Sequence, residues 1–297
     1  MTYTLFDLTY RTARELGIVD ESVATGGSTT TIIDTVNLLQ VDDYWNGGTV
    51  WILYDAAGAG AAPEGQYSVI TDFATGTDTA TFGALTVAVT ASDRYAIAKK
   101  TYPLGTLIQC VNKAIQELGP VLPVSTDDIL TTDLESQYTV PTTPALYDLK
   151  RVFMQRLTES DTFDDQPWVE LKNWYVQTSV AGVPATVLFP YDLPGDHVLK
   201  LMYCVPQPEL NVYSAVLSAT IPVDHIVYAA AGHCVNWYRQ RTQSNKQYLL
   251  DDIAYYRQKA METKIIQPVV PRERAEVRDD DDAVRVDVQR SARNYNR

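Results

Sequence analysis

Thr4-Leu-Phe-Asp-Leu-Thr-Tyr-Arg-Thr-Ala-Arg-Glu-Leu-Gly17 has a near twin later in the chain, Thr106-Leu-Ile-Gln-Cys-Val-Asn-Lys-Ala-Ile-Gln-Glu-Leu-Gly119. In both, a hydroxyl residue opens an apolar helical pattern and Glu-Leu-Gly closes it. Between them lies a Thr-, Gly- and Val-rich stretch with almost no helical periodicity. This layout predicts a compact helical unit split by an inserted β domain.

The first helix is expected from Leu5 to Leu16. Thr4 serves as N-cap, Asp7 adds negative charge near the positive helix start, and Gly17 suits the left-handed position after the last turn. Leu5, Leu8, Thr12 and Leu16 approximate its apolar face. In the second helix Leu104, Leu107, Ile108, Val111, Ile115 and Leu118 follow helical spacing, and Gly119-Pro120 stops it. Two more helices are predicted near the end. Pro222 stands where a first-turn proline is tolerated, and Ile226, Ala230, Cys234 and Trp237 form one face behind it. Ser244-Asn-Lys-Gln247 has a capping-box pattern, and Leu249, Ile253, Tyr256 and Ala260 continue an apolar stripe as far as Pro268.

The segments between read as β. Thr29–Ile33, Thr49–Tyr54, Tyr67–Thr71, Thr79–Phe82 and Arg94–Ala98 are short strand candidates, with turns at Gly26-Gly27, Asn46-Gly47-Gly48, Gly58-Ala-Gly60 and Gly76. Their spacing indicates a small barrel or sandwich. Ala145–Met154, Val169–Val176, Ala185–Phe189 and His197–Cys204 form a second, antiparallel set. The expected fold class is therefore α+β: a helical bundle of about four helices, two inserted antiparallel β modules and an extended C-terminal arm. The expected boundaries are 1–19 and 100–125 for the first part of the bundle, 20–99 for the inserted barrel or sandwich and 126–220 for the second β domain. Residues 221–267 complete the bundle, and 268–297 form the arm. That arm has few large apolar groups and carries Asp279 to Asp282 followed by a basic stretch from Arg285 to Arg297. It orders only on a partner, if at all.

A net charge of −13 argues against a surface built to grip DNA phosphates. The N-terminus shows neither a basic region nor an apolar core of a signal peptide, and no apolar run approaches the length of about eighteen residues that spans a membrane. Cys110, Cys204 and Cys234 are widely separated within apolar stretches and read as reduced core thiols. His225 and His233 lie about two helical turns apart, but only Cys234 and Asp224 stand near enough in sequence to join them as metal ligands. Asp279 to Asp282 lack the Gly turn and terminal Glu of a calcium loop, and Asp164-Asp165 sit in a turn cluster. No nucleophile elbow or phosphate loop is present. No catalytic, cofactor-binding or metal residue is assigned, and the chain is read as non-enzymatic. The aromatic pairs are the remaining candidates. Trp237-Tyr238-Arg239 and Tyr255-Tyr256-Arg257 suit either core packing or a subunit interface. Tyr44-Trp45 suits packing or sugar stacking. Val284, Val286 and Val288 alternate like a strand that adds to a partner's sheet edge.

This order of elements resembles the head–tail connector (adaptor, or neck) proteins of tailed bacteriophages. The resemblance is carried by Arg14-Glu-Leu-Gly-Ile18, by Glu117-Leu-Gly119, by Ile221-Pro-Val-Asp-His-Ile-Val-Tyr-Ala-Ala-Ala231 and by Tyr248-Leu-Leu-Asp-Asp-Ile-Ala-Tyr-Tyr-Arg-Gln-Lys-Ala260. In addition, Ala24-Thr-Gly-Gly-Ser-Thr-Thr-Thr31, Asp43-Tyr-Trp-Asn-Gly-Gly-Thr49, Val69-Ile-Thr-Asp72 and Asp93-Arg-Tyr95 look like a β module of several phage structural proteins. The resemblance implies a virion protein, made in the host cytoplasm, whose copies form a cyclic homo-oligomer at the neck between portal and tail. Its partners would be the portal protein and a downstream tail or stopper protein. DNA would pass through the ring without sequence-specific binding, and no membrane, cofactor or catalytic residue is implied. Compact members of that family lack two β modules of this size. Two other functions fit the residues: another tail or fibre-attachment structural protein, or a carbohydrate-binding or carbohydrate-active protein.

Overall fold

A computed structural model describes residues 2–131, 135–139, 148–156, 168–177 and 185–266, which fall into two compact units. The first contains residues 1–119 and 207–269, and the second contains 120–206.

In the first unit, helix α1 (Leu5–Glu15) starts with a complete capping box. The Thr4 hydroxyl accepts from the Asp7 amide at 3.3 Å, and the Asp7 carboxylate accepts from the Thr4 amide at 2.8 Å. Its end is equally specified. Gly17 (φ 65°) donates to Arg14 and Ile18 to Ala13, the paired bonds of a Schellman motif. Helix α2 (Leu104–Gln116) opens differently from its sequence twin. Pro103, not a hydroxyl residue, occupies the N-cap, and Thr106 lies inside the first turn. Gly119 again takes a positive φ, 71°. Helix α2 also holds a distant chain segment. The buried Asn112 carboxamide accepts from the Leu210 amide at 2.9 Å and donates to the Leu210 carbonyl at 3.0 Å, copying a backbone pairing. Two short strands, β1 (Tyr3–Thr4) and β16 (Val216–Leu217), join the start of the chain to the segment before α3 (Val223–Arg241).

Between α1 and α2 the chain forms a seven-stranded antiparallel sheet. It consists of β2 (Val19–Val23), β3 (Gly26–Gly27), β4 (Thr31–Ile33), β5 (Thr49–Tyr54), β6 (Tyr67–Ala74), β7 (Thr79–Phe82) and β8 (Arg94–Ala98). The order is β2-β8-β5-β6-β7-β4-β3. The two terminal strands are thus consecutive in sequence, separated only by Ala24 and Thr25. Ala24 pairs with the Asp93 carbonyl and Thr25 with the Ile33 carbonyl, both at 2.8 Å. The sheet therefore closes into a small barrel, which removes its open edges. Ile32, Trp45, Val50, Ile52, Ile70, Phe73, Phe82, Tyr95 and Ile97 fill it. A Cβ at Gly48 would collide with the Ala98 carbonyl, so only glycine permits that backbone approach. The closure is fastened by Asp34, fully buried, which accepts from Ser22 at 2.5 Å, Tyr95 at 2.8 Å, and the amides of Val36 and Asn37 at 2.9 and 3.0 Å. Burial raises the Asp34 carboxyl, but these four bonds outweigh it and hold the group below its ordinary value. On the outside of the barrel, Trp51 is buried against α1, its indole N–H donating to Thr9 at 3.2 Å.

The second unit is a sandwich of two antiparallel sheets. One runs β12 (Val169–Leu171), β11 (Asp148–Arg156), β15 (His197–Pro206), β9 (Pro120–Leu130), and the other runs β10 (Glu135–Thr139), β14 (Thr186–Leu193), β13 (Tyr175–Gln177). Alternate residues of each point inward. Val152, Met154, Leu199, Leu201 and Tyr203 from the first sheet meet Tyr138, Val187, Phe189 and Leu193 from the second in one core.

These observations correct the expected fold class. The described residues contain sixteen strands in four sheets and four α-helices, so this is a sheet-rich α+β fold and not a helical bundle carrying two small β modules. The strands that sequence reading missed explain the difference. Val19-Asp-Glu-Ser-Val23 and Glu135-Ser-Gln-Tyr-Thr139 are too polar to show alternation. Pro120–Leu130 contains two prolines, which demote a strand in any sequence reading although an edge position tolerates them.

Candidate interaction surface on the last two helices

Helix α3 is enclosed by its neighbours. Val223, Ile226, Val227, Ala230, Ala231, Cys234 and Val235 are buried, and α3 packs on α1, α2 and α4 (Gln247–Ile266). Its small residues set the approach of α4. A Cβ at Gly232 would stand 3.3 Å from the Cβ of Tyr256. Helix α4 is then tied down by polar contacts at two levels. The Tyr256 hydroxyl donates to the Glu15 carbonyl at 3.0 Å, and His225 Nδ1 donates to the Ala260 carbonyl at 2.8 Å. Burial, with help from the Glu15 charge, pushes the Tyr256 phenol up to about 12.

The predicted interface residues divide accordingly. Trp237 is half-buried, with the Arg241 guanidinium 5.0 Å above it and Tyr102 beside it. Tyr238 packs against Tyr102 and the core formed by Val235, Leu249 and Ile253. Arg239 donates to Asn236 at 3.3 Å, and its buried Nε has no hydrogen-bond partner among the described residues. Tyr256 faces inward, Tyr255 is half-exposed with Lys259 6.0 Å from its ring, and Arg257 is exposed. Val284, Val286 and Val288 lie outside the described residues, as do Asp164-Asp165 and Asp279 to Asp282.

Of the outer surface of α4, sequence reading picked out only Tyr255 and Arg257. At about 100° per residue, Leu249, Ile253, Tyr256 and Ala260 share the face toward α3. Two more apolar lines flank them, each roughly 110–120° from that inner face. Tyr248, Tyr255 and Ile266 form one line, and Leu250, Met261 and Ile265 form the other. All six are exposed, Met261 by 65 %, Ile265 by 76 % and Ile266 by 77 %. Between the flanks runs a polar line, where Gln247 donates to Asp251 and Gln258 to Glu262, both at 2.9 Å. The overlooked signal was the excess of large apolar residues over what a single buried stripe needs.

The other candidates have local structural partners. His233 Nε2 lies 2.9 Å from Glu117, and burial outweighs that carboxylate's attraction, so its pKa falls below the ordinary value. His225 and His233 thus take separate partners, and no cluster of three His, Cys, Asp or Glu side chains occurs among the described residues. Cys110 and Cys234 are buried free thiols that hydrogen-bond across α2 and α3; this bond and burial push the Cys234 thiol up. Trp45, considered for sugar stacking, is buried in the barrel and donates to Gln40 at 3.0 Å, while Tyr44 is capped by Lys99 at 3.9 Å. No helix among the described residues is long and apolar enough to cross a membrane. Compared with known proteins, the chain matches no family model and no curated relative.

Proposed function

We propose that the protein is a virion structural component, a head–tail connector whose copies form a ring between portal and tail and continue the DNA channel. The observation that supports this reading best is where the connector-like segments fall. Arg14–Ile18 and Glu117–Gly119 end α1 and α2, while Ile221–Ala231 and Tyr248–Ala260 build α3 and α4. All four helices belong to one compact unit, although a β sandwich interrupts the chain between α2 and α3. The net charge of −13 fits a wall that passes DNA without adding counterion-release affinity at each phosphate. The apolar flanks of α4 fit a chain that meets further copies. The test is negative-stain imaging and native mass spectrometry of the purified protein, alone and mixed with a portal protein. Closed cyclic oligomers seated on the portal are expected. A chain that stays monomeric with portal present, or forms a trimeric fibre, refutes the connector reading.

A further inference from the structure

We propose that α4 is the seam between neighbouring copies of this chain. The Leu250, Met261 and Ile265 flank of one copy packs against the Tyr248, Tyr255 and Ile266 flank of the next. The inference rests on the ring reading for closed symmetry only.

The exposed area sets the scale. Six large side chains at these exposures leave several hundred Å² of apolar surface on one helix. An ordinary monomer's largest patch is about 300–600 Å². A standard interface takes about 800 Å² from each partner. The aromatic flank sets Tyr248 5.7 Å from Lys246 and Tyr255 6.0 Å from Lys259, while the other flank is aliphatic, with Leu250, Met261 and Ile265. The two flanks therefore differ in chemistry, and the Gln247–Asp251 and Gln258–Glu262 pairs keep them apart.

This division selects the kind of partner. A two-fold contact centred on one flank joins that flank to its own counterpart and leaves the other, across the polar line, bare. A head-to-tail contact joins unlike patches, uses both flanks of every copy, and closes into a ring when the rotation permits. A net charge of −13 makes the copies repel one another, and apolar packing at the seam offsets that repulsion.

The test breaks one flank at a time, using Met261→Glu on the aliphatic side and Tyr255→Glu on the aromatic side. Sedimentation velocity should show loss of assembly for each variant alone, equivalent to a rise of roughly a hundredfold or more in the dissociation constant. Melting temperatures close to the unsubstituted chain's would show that the fold is intact, as expected for exposed positions. Mixing the two variants leaves one intact seam per pair, so the mixture should form dimers and nothing larger. Leu39→Glu, at an exposed apolar position on the barrel, is the control and should assemble normally. Rings that persist in both variants refute the seam and leave the connector reading standing. Assembly lost on removing residues 268–297 but retained by both α4 variants would instead assign the contact to the arm, and also refutes the seam. Assembly that depends on α4 but yields open filaments supports the seam and refutes the ring. A chain monomeric at every concentration and with portal refutes both.

Discussion

Removing the Asp34 carboxylate tests whether barrel closure is fastened where the structure places it. Four donors lie within 3.0 Å of this fully buried group, the Ser22 and Tyr95 hydroxyls and the Val36 and Asn37 backbone amides, and the Asn37 side-chain amide adds a longer bond at 3.4 Å. A hydrogen bond to a charged partner contributes about 1.5–3 kcal/mol, and a buried donor left without an acceptor costs about 1–3 kcal/mol. Ser22, Val36 and Asn37 lie close enough to solvent to recruit water, but Tyr95 is fully buried. Asp34→Ala should therefore destabilise the barrel by about 3–5 kcal/mol. Asp34→Asn should cost only about 1–2 kcal/mol, because its oxygen still accepts from the two amides while both hydroxyls turn to accept from its NH₂. Urea unfolding, followed by hydrogen exchange in peptides from Thr31–Ile33 and Arg94–Ala98, would read the loss locally. Tyr95→Phe combined with Asp34→Ala should cost less than the sum of the two single changes. The pH dependence follows from the depressed pKa. As pH falls, the unfolded chain takes up this proton first, so the stabilisation is complete above the ordinary value of 3.8 and disappears as pH drops through the folded value. The gap between the unsubstituted chain and Asp34→Asn should narrow in that window. A loss below about 1 kcal/mol for Asp34→Ala would refute the fastening role.

Two further measurements probe the helices. Trp51→Ala should cost about 3–5 kcal/mol, since the ring is wholly buried and donates to Thr9, whereas the half-buried Trp237 should cost clearly less; urea midpoints in the reverse order would refute this account of α1 packing. His233 is held below 6.5 by burial despite Glu117, so the unfolded chain protonates first and the contribution present above pH 6.5 is lost as pH falls through the folded value. His233→Gln should flatten the decline in urea midpoint between about pH 7 and pH 5, and an unchanged slope would refute it.

What could be read from the sequence was local. Thr4, Asp7 and Gly17 specify their helix ends with their own side chains or backbone freedom, so α1 was legible to within a residue. The strands at Thr49–Tyr54, Thr79–Phe82 and Arg94–Ala98 were legible as short apolar runs beside turns, the second alternating and the other two buried on both faces. Barrel closure was not legible, since it depends on β2 and β3 meeting β8 and β4, and on Asp34 gathering donors from two distant strands as well as from its own turn. The helical emphasis was misleading for a related reason. Helices announce themselves through period, while polar or proline-bearing strands are defined only by the partner they pair with. Trp237 shows the limit of a face drawn from spacing alone, because it lies at the end of α3 where the surrounding helices no longer enclose it. Apart from Tyr255, the outer apolar residues of α4 were overlooked because its inner stripe already satisfied the helical pattern.

Strand β9 has eleven residues and lies at one end of its four-stranded sheet, paired to β15 with no second neighbour among the described residues. An edge of this length ordinarily invites a foreign strand. Here Pro120 and Pro123 remove two backbone donors from the strand. Chains at high concentration are thereby discouraged from zipping sheet to sheet into fibrils. Any association is then left to side-chain surfaces, which can be finite and reversible.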